Sequence, residues 1–274
     1  MSCGSLLLGQ REVDVLYRLT LAVCSSLKEL GAPHILIAGS LLGSQRSSSL
    51  LFNDDDVDIA LIQQNDEEYD DTLNALSQLL KPKGMFLKKR ATVFCDRVRS
   101  RELTHCWIDI FRLKKFENME EIQSLVRLKD NGRPQPPEYV QRITQSFVSA
   151  PFPLYHYDTR KGIELWPREF FMEHELFPIN PTSLTFGGQI LSGPADPMSY
   201  LTRAFGHDCL HVYPNPHKSS HLYVKEFRMR LEESTRQGLA PQPSDGDMLP
   251  LSSKHYLPVL PSWELACGAN KILK

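Results

Sequence analysis

The sequence has little that would place the protein in a membrane or on nucleic acid. Its 274 residues contain no run of about 18 or more apolar residues, so no membrane-spanning helix is expected in this chain. The N-terminus lacks a basic segment followed by an apolar core, which is the pattern of a signal peptide. The net charge of -2 provides no overall basic field, so we expect no nucleic-acid partner.

The sequence also lacks the patterns of structural zinc and of N-glycosylation. None of its six cysteines forms a CxxC pair or a CxxC–HxxxH set, so structural zinc is not expected. The one Asn-x-Ser/Thr tripeptide begins at Asn180 and is disqualified by Pro181. Both absences favour a reducing compartment. They also leave room for a lumenal domain of the secretory pathway whose anchor is missing, so the location stays open.

One segment, residues 34–63, contains most of the residues that could bind a ligand or take part in catalysis: HILIAGSLLGSQRSSSLLFNDDDVDIALIQ. A first apolar run ends in Gly39 and Ser40, and a short loop with one cation, Arg46, leads to a second apolar run. The pattern predicts a strand, a Gly-Ser turn, a loop and a second strand. The turn's hydroxyl and N–H groups are suited to phosphate oxygens, and Arg46 would be the fixed cation.

An acidic cluster opens the second apolar run, formed by Asp54, Asp55, Asp56 and Asp58. Because side chains alternate along a strand, Asp56 and Asp58 are predicted to share one face, opposite Val57 and Ile59. Neighbouring carboxylates repel by about 1 kcal/mol per pair in water, and by ~4 kcal/mol at an intermediate effective dielectric. Their oxygens suit Mg²⁺ or Mn²⁺, so we predict a divalent cation here.

A further acid lies in an apolar segment downstream, WIDIF at residues 107–111. Residues 92–99 and 106–113 are predicted to be strands joined by a polar turn. An aspartate among β-branched and aromatic residues is unusual in a buried strand. If Ile108 and Ile110 face the core, Asp109 faces the other side and can join Asp56 and Asp58 as a third carboxylate.

Three other interpretations of the acidic cluster compete with a divalent-cation site on this strand. A solvated acidic loop is the commonest fate of a charge run. An EF-hand loop is excluded, because Ile59 stands where a glycine is needed and Asn65 where a bidentate glutamate is needed. The Asp-x-Asp metal site of a nucleotide-sugar glycosyltransferase stays open as an alternative.

Hydrophobic periodicity and turn residues predict the remaining elements. Helices are expected at residues 11–30, 66–80, 119–128, 166–173 and 194–205, the last capped near Asp196. A strand or hairpin is expected at 184–191, and a long loop or flap at 129–154. We expect a domain over residues 1–216 and a partly flexible tail over 217–274.

Four segments together resemble the LicD/fukutin family: GSLLGSQR at 39–46, NDDDVDIAL at 53–61, WIDIF at 107–111 and LFPINPTSLTFGGQILSGPADPMSYLTRAFGHD at 176–208. The likeness runs in order over about residues 11–216. It implies an α/β (α+β) fold with a nucleotidyltransferase-like core, in which helices flank a mixed sheet, and a family-specific C-terminal extension. Asn53 stands where the family usually has tryptophan, and the zinc-binding cysteines of the fukutin-related branch have no counterpart.

The resemblance also implies an activity. Members transfer phosphorylcholine or a phospho-alditol from a CDP-linked donor to a glycan or glycoconjugate, so the resemblance implies a metal-dependent transferase of substituted phosphate groups. Carried over by position, substrate phosphates are bound by Gly39, Ser40, Arg46 and Asp54. Catalysis and the Mg²⁺ or Mn²⁺ site fall to Asp56, Asp58 and Asp109. A glycosyltransferase and an inactive family member acting as a binding module are the alternatives.

The crowding of these carboxylates suggests how substitutions should behave. Replacing Asp58 or Asp109 by asparagine is expected to abolish transfer. Thermal stability is expected to stay equal or rise in both variants, because repulsion between the carboxylates is relieved.

Overall fold

The structure, a computed structural model, describes residues 8–51, 54–103, 105–129, 131–213, 229–230 and 243. Its helices are α1 (Gln10–Glu29), α2 (Ala38–Ser47), α3 (Asp66–Leu80), α4 (Met119–Arg127), α5 (Pro137–Thr144), α6 (Arg160–Leu165), α7 (Glu173–Leu176) and α8 (Pro197–Phe205). Short 3-10 turns cover Lys81–Lys83 and Gln145–Phe147. The strands are β1 (His34–Leu36), β2 (Asp56–Ile62), β3 (Met85–Lys88), β4 (Asp96–Ser100), β5 (Trp107–Phe116), β6 (Leu154–Tyr157), β7 (Phe171–Met172), β8 (Asn180–Phe186), β9 (Gln189–Gly193), β10 (Val212–Tyr213) and β11 (Met229–Arg230).

A mixed sheet is the centre of the fold, with strand order β1-β2-β5-β4-β3 and with β6 and β7 added beside β5. Strand β5 runs parallel to β2 and antiparallel to β4 and β6. It is long enough to pair with β4 over its first half and with β6 over its last four residues. The prediction of a mixed sheet flanked by helices is confirmed.

One hydrophobic core joins the sheet to α1 and to the elements after β7. Tyr17 on α1 contacts Phe186 edge-on at 5.3 Å between ring centroids, and its hydroxyl accepts a hydrogen bond from the Leu50 N–H at 2.9 Å. Phe171 stacks on Tyr200 at 4.1 Å. A second, smaller core lies between α4, α5 and β6. Residues far beyond the acidic strands therefore help to hold the sheet.

The predicted turn at Gly39 and Ser40 is corrected by the structure. Strand β1 ends at Leu36, and α2 begins at Ala38, so both residues lie in the first turn of a helix. The chain changes direction at Ala38, whose φ of 48° is in the left-handed region. Buried Leu41 and Leu42 anchor the helix against the sheet, which explains why an apolar run here is not a longer strand.

Two other predictions were wrong in part. The expected loop at 129–154 contains α5, whose Val140 and Ile143 are buried at helical spacing. The expected helix at 166–173 is instead the short strand β7 followed by α7. The predicted tail, 217–274, lies outside the described residues apart from 229–230 and 243. Within the described part of the chain, no helix combines the length and the apolar character needed to span a bilayer.

Candidate functional site

Three predicted carboxylates meet on one face of the sheet. Strands β2 and β5 are parallel neighbours, and Asp58 pairs directly with Asp109, while Asp56 lies two residues before Asp58. One oxygen from each of Asp56, Asp58 and Asp109 lies within 4.8 Å of the others. The structure therefore brings the three residues together, and their catalytic and metal-binding roles stay predictions.

The electrostatic environment of Asp58 is strongly negative. Burial raises the pKa of its carboxyl well above the usual range, and the nearby charges of Asp56, Asp54, Asp109 and Glu169 raise it further. A group of acids that favours protonation in this way is also a group that would gain from a bound cation. Its oxygens are the hard ligands that Mg²⁺ and Mn²⁺ prefer, so the donor set fits the predicted ion.

Asp109 differs from its neighbours because it has a cationic partner. Arg97 on β4 stands directly opposite it and donates from Nε to Oδ1 at 2.6 Å and from an Nη to Oδ2 at 2.9 Å. The guanidinium also lies over the Trp107 ring, 4.1 Å from the centroid. Ionised carboxylates have about four lone-pair sites, so Asp109 can hold Arg97 and still face a cation.

Arg97 was missed by sequence reasoning. The signal was available, because a hairpin between the two predicted strands would bring an arginine opposite Asp109. The exact register was needed to see it, and the turn residues alone do not fix that register.

The buried side chain of Asp54 explains why a glycine occupies position 39. The carboxylate of Asp54 is 6% exposed, and Oδ2 lies against the Cα of Gly39, where any Cβ would overlap it. Burial, followed by the charge of Asp56, raises the pKa of Asp54 well above its usual range. Asp54 also has an oxygen within 4.8 Å of oxygens of Asp55 and Asp56. Gly39 thus admits a buried acid beside the site, and phosphate binding by either residue stays a prediction.

Ser40 ties the first turn of α2 to the acidic strand. Its hydroxyl is buried and accepts a hydrogen bond from the Asp58 N–H at 2.8 Å, and the Ile37 N–H donates to the Asp58 carbonyl at 3.1 Å. These contacts fix the backbone from which the Asp58 side chain projects. Ser40 therefore has a positioning contact in the structure, alongside its predicted role at phosphate.

Arg46 lies elsewhere. It is seven residues after Gly39 on the same helix, about 10 Å along the axis at ~1.5 Å per residue. Its side chain is only 4% exposed and donates to the Cys209 carbonyl, which connects α2 to the segment after α8. The Arg46 side chain thus joins α2 to the segment after α8, and its predicted role at phosphate stays a prediction.

A second polar group, outside the predicted motifs, adjoins the carboxylates. Tyr157 donates to Glu169 Oε2 at 2.7 Å, and Tyr200 lies 3.4 Å from the same oxygen. The Tyr200 hydroxyl also accepts from the Ala38 N–H at 3.2 Å, at the start of α2. No sequence motif marks these residues, because they are brought together only by the fold.

Parallel strands carrying an Asp-x-Asp pair and a partner aspartate, with a helix packed behind the first acids, give the acidic sheet face expected of a nucleotidyltransferase-like fold. Residues 31–153 match the LicD/FKTN/FKRP nucleotidyltransferase domain. This match supports membership of the LicD/FKTN/FKRP family for residues 31–153, and the predicted resemblance is confirmed there.

Comparison with other proteins adds two findings. No curated protein matches the chain. Among solved structures, terminal uridylyl transferase 4 from Trypanosoma brucei with bound GTP is 18% identical, with a TM-score of 0.26 over 40% of this chain and 32% of that chain. The same enzyme with bound CTP is 19% identical, with a TM-score of 0.26 over 39% of this chain and 32% of that chain. The chain thus spans about a third of the length of the solved structures it matches.

Proposed function

We propose that the protein transfers a substituted phosphate group, phosphorylcholine or a phospho-alditol, from a CDP-linked donor to a hydroxyl of a glycan or glycoconjugate. The observation that carries the proposal is the meeting of Asp56, Asp58 and Asp109 within 4.8 Å in a LicD-type domain. Transfer from a diphosphate needs charge stabilisation at the phosphates and at the leaving nucleotide. A crowded set of carboxylates supports this chemistry through a divalent cation.

The residues that would hold Mg²⁺ or Mn²⁺ are Asp56, Asp58 and Asp109. When bound, the ion would supply positive charge against the donor diphosphate and the departing CMP. Ser40 would keep Asp58 in place through its hydrogen bond to the backbone N–H. Arg97 would keep Asp109 oriented through its paired hydrogen bonds.

Arg97 is a cation in direct contact with one of the carboxylates, Asp109. Arg99, two residues further along the same face of β4, also lies over the Trp107 ring, with its guanidinium carbon 5.2 Å from the ring centroid. Both arginines are half-buried at the edge of the carboxylate site. We infer that Arg97 and Arg99 add positive charge near the donor phosphates, beside the predicted contribution of Arg46.

A thermal-shift panel tests the proposal. The chain is mixed with CDP-choline, CDP-ribitol, CDP-glycerol and UDP-sugars, each with and without Mg²⁺ or Mn²⁺. A ligand at 100 times its Kd stabilises by ~2.7 kcal/mol. For a domain of this size that corresponds to a shift of about 5–10 °C. We expect it for a CDP donor with the metal ion, and little shift without the ion.

The nucleotide product separates the alternatives. Transfer of a substituted phosphate releases CMP, whereas a glycosyltransferase cleaves the sugar–diphosphate bond and releases a nucleoside diphosphate. Release of UDP from a UDP-sugar would support the glycosyltransferase instead. Metal-dependent donor binding without any product would indicate a binding module.

A further inference from the structure

The sheet face that carries the carboxylates continues beyond them onto β4 and β3. Asp109 on β5 pairs with Arg97 on β4, and Arg97 in turn pairs with Lys88 on β3. Paired residues of neighbouring strands project from the same side of a sheet. The Lys88 side chain therefore lies on the face of Asp109, on a strand that forms the edge of the sheet.

A second row of side chains runs beside the first. Trp107 on β5 pairs with Arg99 on β4. Arg99 in turn pairs with Phe86 on β3. Because side chains alternate along a strand, Trp107 shares the face of Asp109. Together the side chains next to the acids form what we call the β4–β3 face: Trp107, Arg97, Arg99, Phe86 and Lys88.

The β4–β3 face is open at its outer end. The alternating neighbours Val98 and Ile108 are fully buried on the opposite side of the sheet, where α1 packs against β4 and β5. Phe86 is 39% exposed and Lys88 is exposed, whereas the arginines and Trp107 are half-buried. A ligand can therefore reach the carboxylates along this face from the edge strand.

The cations of the face are not neutralised by nearby acids, apart from Arg97, which is held by Asp109. Within the described part of the chain, no carboxylate forms an ion pair with Arg99 or Lys88. Such cations can form charge-assisted hydrogen bonds with carboxylate or phosphate groups of a ligand. The face thus offers positive charge beside a site that is itself acidic.

Aromatic rings alternate with these cations. Arg97 and Arg99 lie over the Trp107 ring, with guanidinium carbons 4.1 and 5.2 Å from the centroid. A single exposed phenylalanine such as Phe86 is ordinary on a protein surface. Here it stands in register with Arg99, so a large apolar ring and a cation lie side by side. This combination suits a ligand that has both apolar ring faces and negative charge.

The width of the sheet separates this ligand from the donor diphosphate. Neighbouring strands lie about 4.8 Å apart, so the backbone at Lys88 is about 10 Å from the backbone at Asp109. In the proposed function the diphosphate lies at the carboxylates with the metal ion. Lys88 and Phe86 lie farther out, on the side from which a second substrate can approach.

We propose that the β4–β3 face binds the acceptor, and that the acceptor is a glycan carrying carboxylate or phosphate groups. The inference rests on the proposed function and names the chemical class of its acceptor. Sugar rings lie on Phe86 and Trp107, and an anionic group of the glycan is bound by Lys88 and Arg99. The reacting hydroxyl then reaches the carboxylate site from the edge of the sheet.

A nucleic acid fits the same face less well. Its phosphates follow one another without a gap, and affinity grows with the number that a protein neutralises. The inner end of the face meets the acidic side chains of Asp56, Asp58 and Asp109, which repel a continuous run of phosphates. The chain as a whole has a net charge of -2. A glycan with scattered charges avoids this repulsion.

The test measures acceptor use by the full chain with Mg²⁺ and CDP-choline, CDP-ribitol or CDP-glycerol. The acceptors are gluco-, manno- and galacto-oligosaccharides, each as the neutral sugar, as its phosphate and as its uronate, with oligouridylate as a further arm. CMP release gives the acceptor KM and kcat, and calorimetry gives the donor Kd. Variants Lys88→Gln and Phe86→Ala are compared with Lys114→Gln, an exposed lysine on the opposite face of β5.

We expect the phosphate or the uronate of at least one sugar to have a kcat/KM about tenfold or more above that of its neutral parent, with the difference in KM. Raising the salt from about 0.05 to about 0.5 M should narrow that gap. Lys88→Gln should raise KM about fivefold for the anionic sugar alone, whereas Phe86→Ala should raise it for both forms. Donor Kd should change less than threefold in either variant, and Lys114→Gln should match the unmodified chain.

Different failures overturn different claims. If CMP is released and neutral sugars serve as well as anionic ones, the acceptor inference is refuted while the proposed function stands. The same holds if Lys88→Gln behaves like Lys114→Gln, if no sugar accelerates CMP release above that with water, or if oligouridylate binds more tightly than any sugar. A chain that neither binds nor cleaves any CDP donor would overturn the proposed function and this inference with it.

Discussion

At the scale of single residues, Asp58 and Asp109 are distinguished by their partners. They pair across two parallel strands and share the same small group of oxygens. Asp58 is surrounded by other acids, whereas Asp109 is held by Arg97 through two hydrogen bonds. The expectation that asparagine would be equally harmless to stability at both positions is therefore revised. Substitution at Asp58 relieves repulsion among crowded carboxylates, whereas substitution at Asp109 breaks a partly buried ion pair.

Replacing Asp58 by asparagine should abolish transfer and leave the melting temperature equal or higher. The substitution removes one charge from a buried, like-charged group and keeps the shape of the side chain. The measurement is CMP release beside a thermal melt, with Asp71→Asn on the exposed face of α3 as a charge-matched control. A folded Asp58→Asn variant with normal turnover would remove Asp58 from the proposed site.

Replacing Asp109 by asparagine should instead destabilise the protein by roughly 1–3 kcal/mol, since Arg97 loses its charged partner in a partly buried setting. Urea unfolding should show a lower midpoint with an unchanged slope. Transfer should be lost as well. A midpoint equal to that of the unmodified chain would mean that the Arg97–Asp109 pair contributes nothing net, as many ion pairs do.

At the scale of elements, the sequence predicts helices and strands whose ends and periodicity are set by neighbouring residues. Helix α3 begins and ends where predicted, because Asn65 caps its first turn through the Glu68 N–H and leucines recur at helical spacing. The α8 cap at Asp196 and the β8–β9 hairpin were also predicted. The parity of β2 was enough to align Asp56 with Asp58. Placing Asp109 beside them required only that two apolar strands be neighbours.

The elements that sequence reasoning missed depend on tertiary contacts. Helix α2 buries polar as well as apolar residues, so no amphipathic face marks it, and its start at Ala38 uses an uncommon backbone conformation that no residue type indicates. Arg97 reaches Asp109 only through the register of β4 on β5. Glu169 meets Tyr157 and Tyr200 only through the fold, since no motif marks its segment. Strand register and long-range packing are therefore the features that could not be inferred from the sequence alone.

A substitution in α2 tests how closely that helix is packed. A Cβ at Gly43 would overlap the Ser49 carbonyl and press on the backbone of Leu50 and Leu51. Alanine favours helix by about 1 kcal/mol over glycine, but overlap with backbone cannot be relieved by a rotamer change. We expect Gly43→Ala to lower the free energy of unfolding by about 1–3 kcal/mol net, measured by urea unfolding.

The control for this test is Asn74→Ala, in the exposed middle of α3, which should be neutral or slightly stabilising. If Gly43→Ala were as stable as Asn74→Ala, α2 would have to sit farther from the 49–51 segment than the structure has it.

At the scale of the whole molecule, stability should depend on pH through His156. This side chain is fully buried in the smaller core, and burial lowers its pKa from 6.5 to about 3. Between those values the unfolded chain binds a proton that the folded chain does not, so stability falls as pH falls through that window. The contribution is about 1.4 kcal/mol per pH unit.

The measurement is the urea unfolding free energy from pH 7 to pH 4, compared with His156→Asn. The variant should lose the contribution of His156 and show the shallower slope below pH 6.5. Parallel slopes would place His156 in a site that accepts a proton freely, contrary to its burial.

The family match and the folding unit have different limits. The match covers residues 31–153, yet β6 begins at Leu154 and pairs with the last residues of β5. Helix α1 precedes the match and packs on the sheet. Side chains outside the match fill the same core as those inside it: Leu16, Tyr17, Leu27, Phe171, Leu184, Phe186, Tyr200 and Leu201. The matched segment alone would leave one side of its sheet without that cover.

We therefore expect a fragment of residues 31–153 to lack cooperative unfolding, while a fragment of residues 8–213 unfolds cooperatively in urea. The physical reason is the area of apolar surface that α1, the β8–β9 hairpin and α8 remove from water, worth about 25 cal/mol per Å². Circular dichroism and tryptophan fluorescence would report on the two fragments, since Trp107 lies in both. A cooperative transition in the shorter fragment, at a midpoint near that of the longer one, would make the flanking segments additions to a self-sufficient domain.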